Sequence, residues 1–186
     1  MIFTGAALNA STTIVSNIEN TDIYYTWYFG QSFEVTGSNY TLDSISIYYY
    51  SDPCSGSGTI YLFDSAYTGS PDSLSASSCL ATGTWDSTSK SWVFSSGYEL
   101  IADKTYYFYT NTAITATFSN MFNPYSSGTM YYSPSAGSNF SELSSYSDLA
   151  FSVTGTAVPE PAACAGLIGL IALGAAGGRR LFARRS

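Results

Sequence analysis

The side chains of this sequence that are able to do chemistry are carboxylates, thiols and hydroxyls, because it contains 13 acidic residues, 3 cysteines and no histidine. Without an imidazole, neither a Ser-His-Asp or Cys-His nucleophile nor a His-ligated zinc can be built. The serines form no Gly-x-Ser-x-Gly elbow. A glycosidase-type carboxylate pair is the remaining alternative, but scattered acids form such pairs by chance. The sequence therefore predicts a protein that is not an enzyme, with no catalytic and no cofactor-binding residues.

Three acids, Asp52, Asp64 and Asp72, fall in or beside turn-rich segments. Calcium takes carboxylate and backbone oxygens from such loops, but its loops place acids at regular short spacing before a glycine. That spacing does not occur here. The three acids are interpreted as solvated loop residues, and no metal ligand or cofactor is predicted.

Two cysteines lie in the polar body of the chain, Cys54 and Cys79, and the third, Cys164, lies in an apolar C-terminal run. A Cys54–Cys79 disulfide would close a loop of about 25 residues, stabilise the fold by about 3 kcal/mol and suit an oxidising compartment. The alternative is two free thiols. The sequence favours the disulfide if the protein is exported.

The secondary-structure elements expected to position these residues are β-strands. Tyr, Thr, Val and Ile favour pleated structure, and turn clusters such as SDPCSGSG and NPYSSG recur between short runs. We predict strands at 12–16, 31–35, 42–50, 59–63, 92–95, 105–110, 116–119, 129–132 and 149–154. This pattern predicts an all-β antiparallel sandwich or jelly roll. Alternation places these residues in its core: Ile45, Ile47, Tyr49, Ile60, Leu62, Tyr106, Phe108, Leu149, Phe151 and Val153.

Adjacent tyrosines cannot all face one core. The clusters 48–50, 106–107 and 131–132 each direct at least one ring to each face of a strand. Outward rings could stack on sugar rings, or they could form cross-strand pairs that only stabilise the sheet. The sequence alone favours the second interpretation.

Charge separates the body from the C-terminus. Residues 1–157 contain twelve acids and only Lys90 and Lys104 as bases, a net charge of about −10. Such a surface repels phosphate backbones, so no nucleic-acid partner is expected.

The C-terminal segment is typical of a membrane anchor. Residues 162–178 carry no charge and would form a helix of about 25 Å, close to the thickness of a bilayer core. Arg179, Arg180, Arg184 and Arg185 follow it, which predicts a cytoplasmic C-terminus and an exported body. Before it, Val158, Pro159, Glu160 and Pro161 predict an extended segment, because proline excludes helix and ladder pairing.

Residues 158–186 resemble the PEP-CTERM sorting signal of Gram-negative bacteria, with its Pro-Glu-Pro motif, short transmembrane helix and arginine-rich end. The resemblance implies recognition by an exosortase, a multi-pass membrane transpeptidase, in bacteria that make exopolysaccharide. The protein would be membrane-anchored until processed and then lie at the cell surface or in the extracellular matrix. An ordinary anchor behind a proline-rich linker is the alternative.

The body resembles bacterial choice-of-anchor domains, extracellular β-sandwiches, in TTIVSNIENT, GQSFEVTGSNYTLDSISIYYY, YLFDSAYTGSPDSL and LIADKTYYFYT. That family implies no catalytic residues. The resulting division is a sandwich at 12–155, a linker at 156–161 and the anchor at 162–186, with residues 1–11 either the remnant of a truncated signal peptide or native body. Two functions follow: an exopolysaccharide-associated surface protein, or a carbohydrate-binding module that uses outward aromatics.

Overall fold

The computed structural model describes residues 10–18, 23–119, 125–144 and 147–159, and within them the chain forms thirteen strands, one 3₁₀ turn (Pro71–Ser73) and no α-helix. In chain order the strands are β1 (Ser11–Asn17), β2 (Ile23–Val35), β3 (Tyr40–Tyr49), β4 (Asp52–Pro53), β5 (Thr59–Phe63), β6 (Ala81–Asp86), β7 (Ser91–Val93), β8 (Glu99–Leu100), β9 (Lys104–Thr110), β10 (Ile114–Phe118), β11 (Met130–Ser133), β12 (Ser141–Glu142) and β13 (Phe151–Ala157).

All strand pairs are antiparallel, in the order β1-β13-β3-β7-β6-β5-β9-β2-β11-β12, with β4 and β8 on β3 and β10 on β2. Phe108 of β9 and Phe151 of β13 have ring centroids 5.6 Å apart. In a flat sheet the five steps between these strands would separate them by about 24 Å. The sheet therefore folds back on itself and encloses a core, as in a sandwich.

Alternation along the strands assigns side chains to two separate clusters. Ile60 and Leu62 of β5, with Phe108 of β9, face the main core between the layers. Tyr61 and Tyr109, on the opposite face of the same two strands, belong to a second cluster. Segments around the 3₁₀ turn and before β12 cover this second cluster with two further hydrophobic residues, Leu74 and Phe140. The β5–β9 layer is thus apolar on both faces.

Strand β2 is long enough to pair with three strands, and its residues Tyr28–Gln31 pair with β11. Its C-terminal half, Gly30–Val35, pairs with β9, whereas its N-terminal half, Ile23–Trp27, pairs with β10. Strand β10 also meets the segment just before β13 through an isolated bridge between Phe118 and Leu149. The β2–β10 ribbon therefore spans one end of the sandwich.

The predicted all-β antiparallel class is confirmed, and most predicted strands are present. Of the ten predicted core residues, nine are buried and Tyr49 at the end of β3 is half-buried. The prediction missed the first half of β2, all of β6 and the two-residue strands β4, β8 and β12.

Candidate functional site

The start of the predicted sorting motif contacts the body. The Val158 backbone N–H donates to the Asn39 carbonyl at 2.9 Å, continuing the β13 ladder beyond Ala157. Val158 and Pro159 border a groove of about 390 Å³ whose other walls are Gly37, Ser38, Asn39, Glu99 and Ala102. The Asn39 side chain donates to Glu99 Oε1 at 2.9 Å and accepts from the Ala102 N–H at 3.0 Å, which fixes the wall of the groove.

The remaining residues predicted for sorting and membrane insertion, Glu160, Pro161, Arg179, Arg180, Arg184 and Arg185, lie outside the described residues. Within the part of the chain that the structure describes, no helix is long and apolar enough to cross a membrane. The apolar run at 162–178 is also outside that part.

The predicted Cys54–Cys79 disulfide is wrong, since both residues are free thiols. Cys54 is buried in the main core, while Cys79 packs against the second cluster, on the other face of the β5–β9 layer. A disulfide needs Cβ atoms about 4 Å apart, so sulfurs in clusters on opposite faces cannot pair without moving the backbone. Burial raises the pKa of Cys54 to about 12 and also raises the pKa of Cys79.

Asp148, the most deeply buried carboxylate among the described residues, belongs to a polar network between β2 and the segment just before β13. Its Oδ1 accepts from Gln31 Nε2 at 3.0 Å and its Oδ2 from the Tyr125 N–H at 3.2 Å. Gln31 Oε1 accepts from the Leu149 N–H at 2.9 Å. Burial raises the pKa of Asp148 despite these bonds. Because Asp148 and Gln31 are fully buried, the network joins the two layers and offers nothing to a ligand.

The loop acids considered as calcium ligands do not form a common site. Among the described residues, no group of three or more Cys, Asp or Glu side chains is placed to hold a metal ion. Asp52 lies in the short strand β4, opposite Tyr49 of β3. Asp72 lies in the 3₁₀ turn, on the segment that covers the second cluster.

Three aromatic rings from the β2–β10 end of the sandwich form the exposed tyrosine cluster (Tyr24, Tyr49 and Tyr50). Tyr24 and Tyr49 meet edge to face at 5.3 Å between centroids, as do Tyr49 and Tyr50 at 4.7 Å. Tyr24 is 52% exposed and Tyr50 is 42% exposed. Rings this exposed keep faces open to solvent, which is where an apolar or cationic ligand surface can stack.

The backbone at Tyr50 is unusual. Tyr49 pairs with Asp52, so Tyr50 and Ser51 form a two-residue hairpin loop. Tyr50 has φ +55°, a conformation that such loops usually assign to Gly or Asn and that is strained for a bulky residue. Its N–H donates to Thr117 Oγ1 at 2.6 Å, so β10 holds the loop in place. Strain of about 1–3 kcal/mol at such a position is often associated with function.

An open cleft of about 310 Å³ lies beside these tyrosines. It is lined by Tyr49, Asp52, Pro53, Cys54, Ser55 and Thr115, and we call it the Asp52 cleft. Its lining combines a ring, a carboxylate and hydroxyls, which are the groups that fix a polyhydroxylated ligand in a shallow site. Partial desolvation and the neighbouring Tyr50 and Tyr24 raise the pKa of Tyr49.

A second group of rings, the Trp27 stack, continues from the same ribbon, with Tyr25 exposed and Trp27 and Tyr132 half-buried. Tyr25 and Trp27 are two residues apart on β2 and lie parallel, 4.2 Å between centroids. Tyr132 of β11 is 4.7 Å from Trp27. Tyr25 is 46% exposed. Both faces of the β2 half that pairs with β10 therefore carry exposed aromatic rings.

Comparisons with known proteins add a distant structural likeness. The chain is similar to the structure of the cysteine protease and lectin-like domains of Cwp84, a surface layer associated protein of Clostridium difficile. The TM-score is 0.38 and the identity 13%, over 72% of this chain and 32% of that one. No family model matches the sequence, and no curated protein matches it. A likeness at this level says nothing about ligand or activity.

Sequence reasoning missed half of this aromatic surface. Tyr49 and Tyr50 were in the tyrosine clusters singled out above, but Tyr24, Tyr25 and Trp27 were not, because the first half of β2 was not predicted as a strand. The run IYYTWYFG at 23–30, rich in aromatic and β-branched residues, was the available signal.

Proposed function

We propose that the body of this chain is a non-enzymatic, cell-surface or matrix carbohydrate-binding domain, with the exposed tyrosine cluster and the Asp52 cleft as its site. The observation that carries this proposal is Tyr50: a bulky ring occupies a left-handed loop position suited to glycine, against Tyr49, which lines the open cleft. Sugar rings stack on aromatic faces through their C–H groups, while Asp52 and Thr115 can accept from hydroxyls at the edge.

The variant Tyr50→Gly separates ligand binding from folding. If the ring served only to stabilise the fold, the variant should lose stability and keep its saccharide affinity. Glycine adopts positive φ freely, so the change should release about 1–2 kcal/mol of strain. The lost ring contact with Tyr49 costs a similar amount, about 0.5–1.5 kcal/mol. Stability should therefore stay the same or rise, whereas saccharide affinity should fall about tenfold, or 1.4 kcal/mol.

The experiment is a glycan array followed by calorimetric titration of the best oligosaccharide. It uses the full-length chain in a detergent without a sugar headgroup, because a glycoside detergent would compete. Tyr24→Ala and Tyr50→Gly should each weaken binding about tenfold. Val93→Ala, which trims another exposed hydrophobic residue on β7, is the matched control and should bind normally. Unchanged affinity in both tyrosine variants would refute the assignment.

Delivery to the surface is a second part of the proposal, and residues 158–186 support it through their sequence. We infer that Pro159, Glu160 and Pro161 are a sorting signal read by an exosortase-type enzyme, with exopolysaccharide as the body's surroundings. Mass spectrometry of mature protein from a host with such an enzyme should find no peptide containing Arg184 and Arg185. Replacing all three motif residues with Ala should retain the full-length chain in the membrane, with the body still folded.

Retention of those arginines in mature wild-type protein would leave an ordinary anchor. That result would not affect the saccharide site, because the tyrosine cluster and cleft belong to other strands.

A further inference from the structure

Charge at the Asp52 cleft has a single sign. Asp52 supplies its only ionisable carboxylate, and no lysine or arginine is among the residues that line it. Within the described residues, the Asp52 side chain has no hydrogen bond or ion pair of its own. A ligand that brings a positive charge would meet an unpaired carboxylate at the edge of the site.

The described part of the chain has the same sign as a whole. The described residues include ten acids and only two bases, Lys90 and Lys104. Such a field raises the local concentration of cations and lowers that of anions near a cleft. Polysaccharides made of uronic acids are therefore disfavoured here, despite the aromatic faces that would suit their sugar rings.

The tyrosine cluster adds a second attraction for cations. The face of an aromatic ring carries partial negative charge, so a protonated amine within about 6 Å of a ring centroid is attracted to it. Tyr49, which lines the cleft, stands edge to face against both Tyr24 and Tyr50, so the three rings present faces in different directions. An ammonium group near Tyr49 would have a ring face and the Asp52 carboxylate within reach, because the two residues are directly paired.

From this geometry we propose that the ligand is a saccharide with free protonated amines, an amino-sugar oligomer or polymer. The proposal rests on the proposed function and specifies the substrate class of the same site. A neutral sugar would use only the rings and hydroxyls, while an amino sugar would also use Asp52.

The test compares three hexasaccharides on the full-length chain by calorimetric titration: β-1,4-linked glucosamine, the same oligomer fully N-acetylated, and a uronic acid hexamer. We expect the free-amine hexamer to bind about tenfold tighter than the acetylated one, and the uronate not to bind. Asp52→Asn should remove most of that difference. Asp72→Asn removes the same charge from the turn over the second cluster and is the matched control.

The outcomes separate this inference from the proposed function. Equal binding of the free-amine and acetylated hexamers, both weakened by Tyr24→Ala, overturns the amine preference and leaves a neutral-saccharide site. Equal losses in Asp52→Asn and Asp72→Asn show general charge attraction, which also overturns the inference. If none of the three hexamers binds and no glycan on the array does, the proposed function fails with it.

Discussion

Replacing Gly30 with alanine would test how tightly the β2–β9 pair is packed. A Cβ at this position would overlap the Tyr109 ring and lie 3.0 Å from the Phe108 carbonyl oxygen. Tyr109 is fully buried, and four rings hold it in place, with centroids 4.8–5.9 Å from its own: Phe63, Tyr67, Tyr131 and Phe140. The ring cannot swing aside without displacing its neighbours.

The magnitude follows from two opposing effects. Forcing one extra carbon into a packed interior costs about 1–3 kcal/mol, and the contact with fixed rings and backbone places Gly30→Ala near the upper end. Alanine in a strand recovers about 0.5–1 kcal/mol of backbone entropy relative to glycine. The net expectation is a loss of about 2 kcal/mol in the free energy of unfolding, measured by urea denaturation.

A double-mutant cycle makes the reasoning refutable. In a Tyr109→Ala background the obstructing ring is gone, so Gly30→Ala should then cost little, giving a coupling energy of about 2 kcal/mol. Gly137→Ala is the control, because a Cβ there meets nothing within 4 Å. The explanation would be refuted by equal costs in the two backgrounds, or by a loss at Gly137 as large as at Gly30.

Two further predictions concern titratable groups. In native protein at neutral pH, the half-buried thiol of Cys79 should react with a maleimide before Cys54, whose pKa is raised to about 12 by burial. Reductant should not lower the melting temperature. A melting temperature that falls with reductant would mean that the two cysteines do form a disulfide. Because the pKa of Asp148 is raised above its ordinary value of 3.8, its contribution to stability is greatest below that value and is lost as pH rises through the folded-state pKa. Urea titrations from about pH 3 to 7 should show wild type losing stability relative to Asp148→Asn as pH rises, and a constant difference would contradict the raised pKa.

The sequence was sufficient for features that depend on local alternation. Strand β5 was predicted with its observed bounds, because Ile60 and Leu62 alternate with residues facing the other way. Its second apolar face was not foreseen as a buried one, since Tyr61 becomes buried only when distant segments fold over it. Alternation reports which residues share a face and not what later covers that face.

The predictions that failed concern contacts between residues that are distant in the sequence. The Cys54–Cys79 disulfide was inferred from count and context, but the face to which each thiol points depends on the register of β4 and on the loop before β6. Asp148 was not singled out among the acids, because its burial depends on the chain before β13 returning beside Gln31. Strand β6, ATGTWD, has a glycine and few apolar residues; its strand state comes from pairing with β5 and β7 on either side.

Strand β13 leads directly into the segment that would tether this protein. It lies between β1 and β3 and pairs with both along most of its length, and Val158 adds one more bond to Asn39. A pull transmitted along the strand from beyond Pro159 would load both ladders in shear, so that many hydrogen bonds must break together and not one after another. Under the anchoring proposed above, flow past the cell would load the domain along this strand, which is the direction in which its two ladders break together.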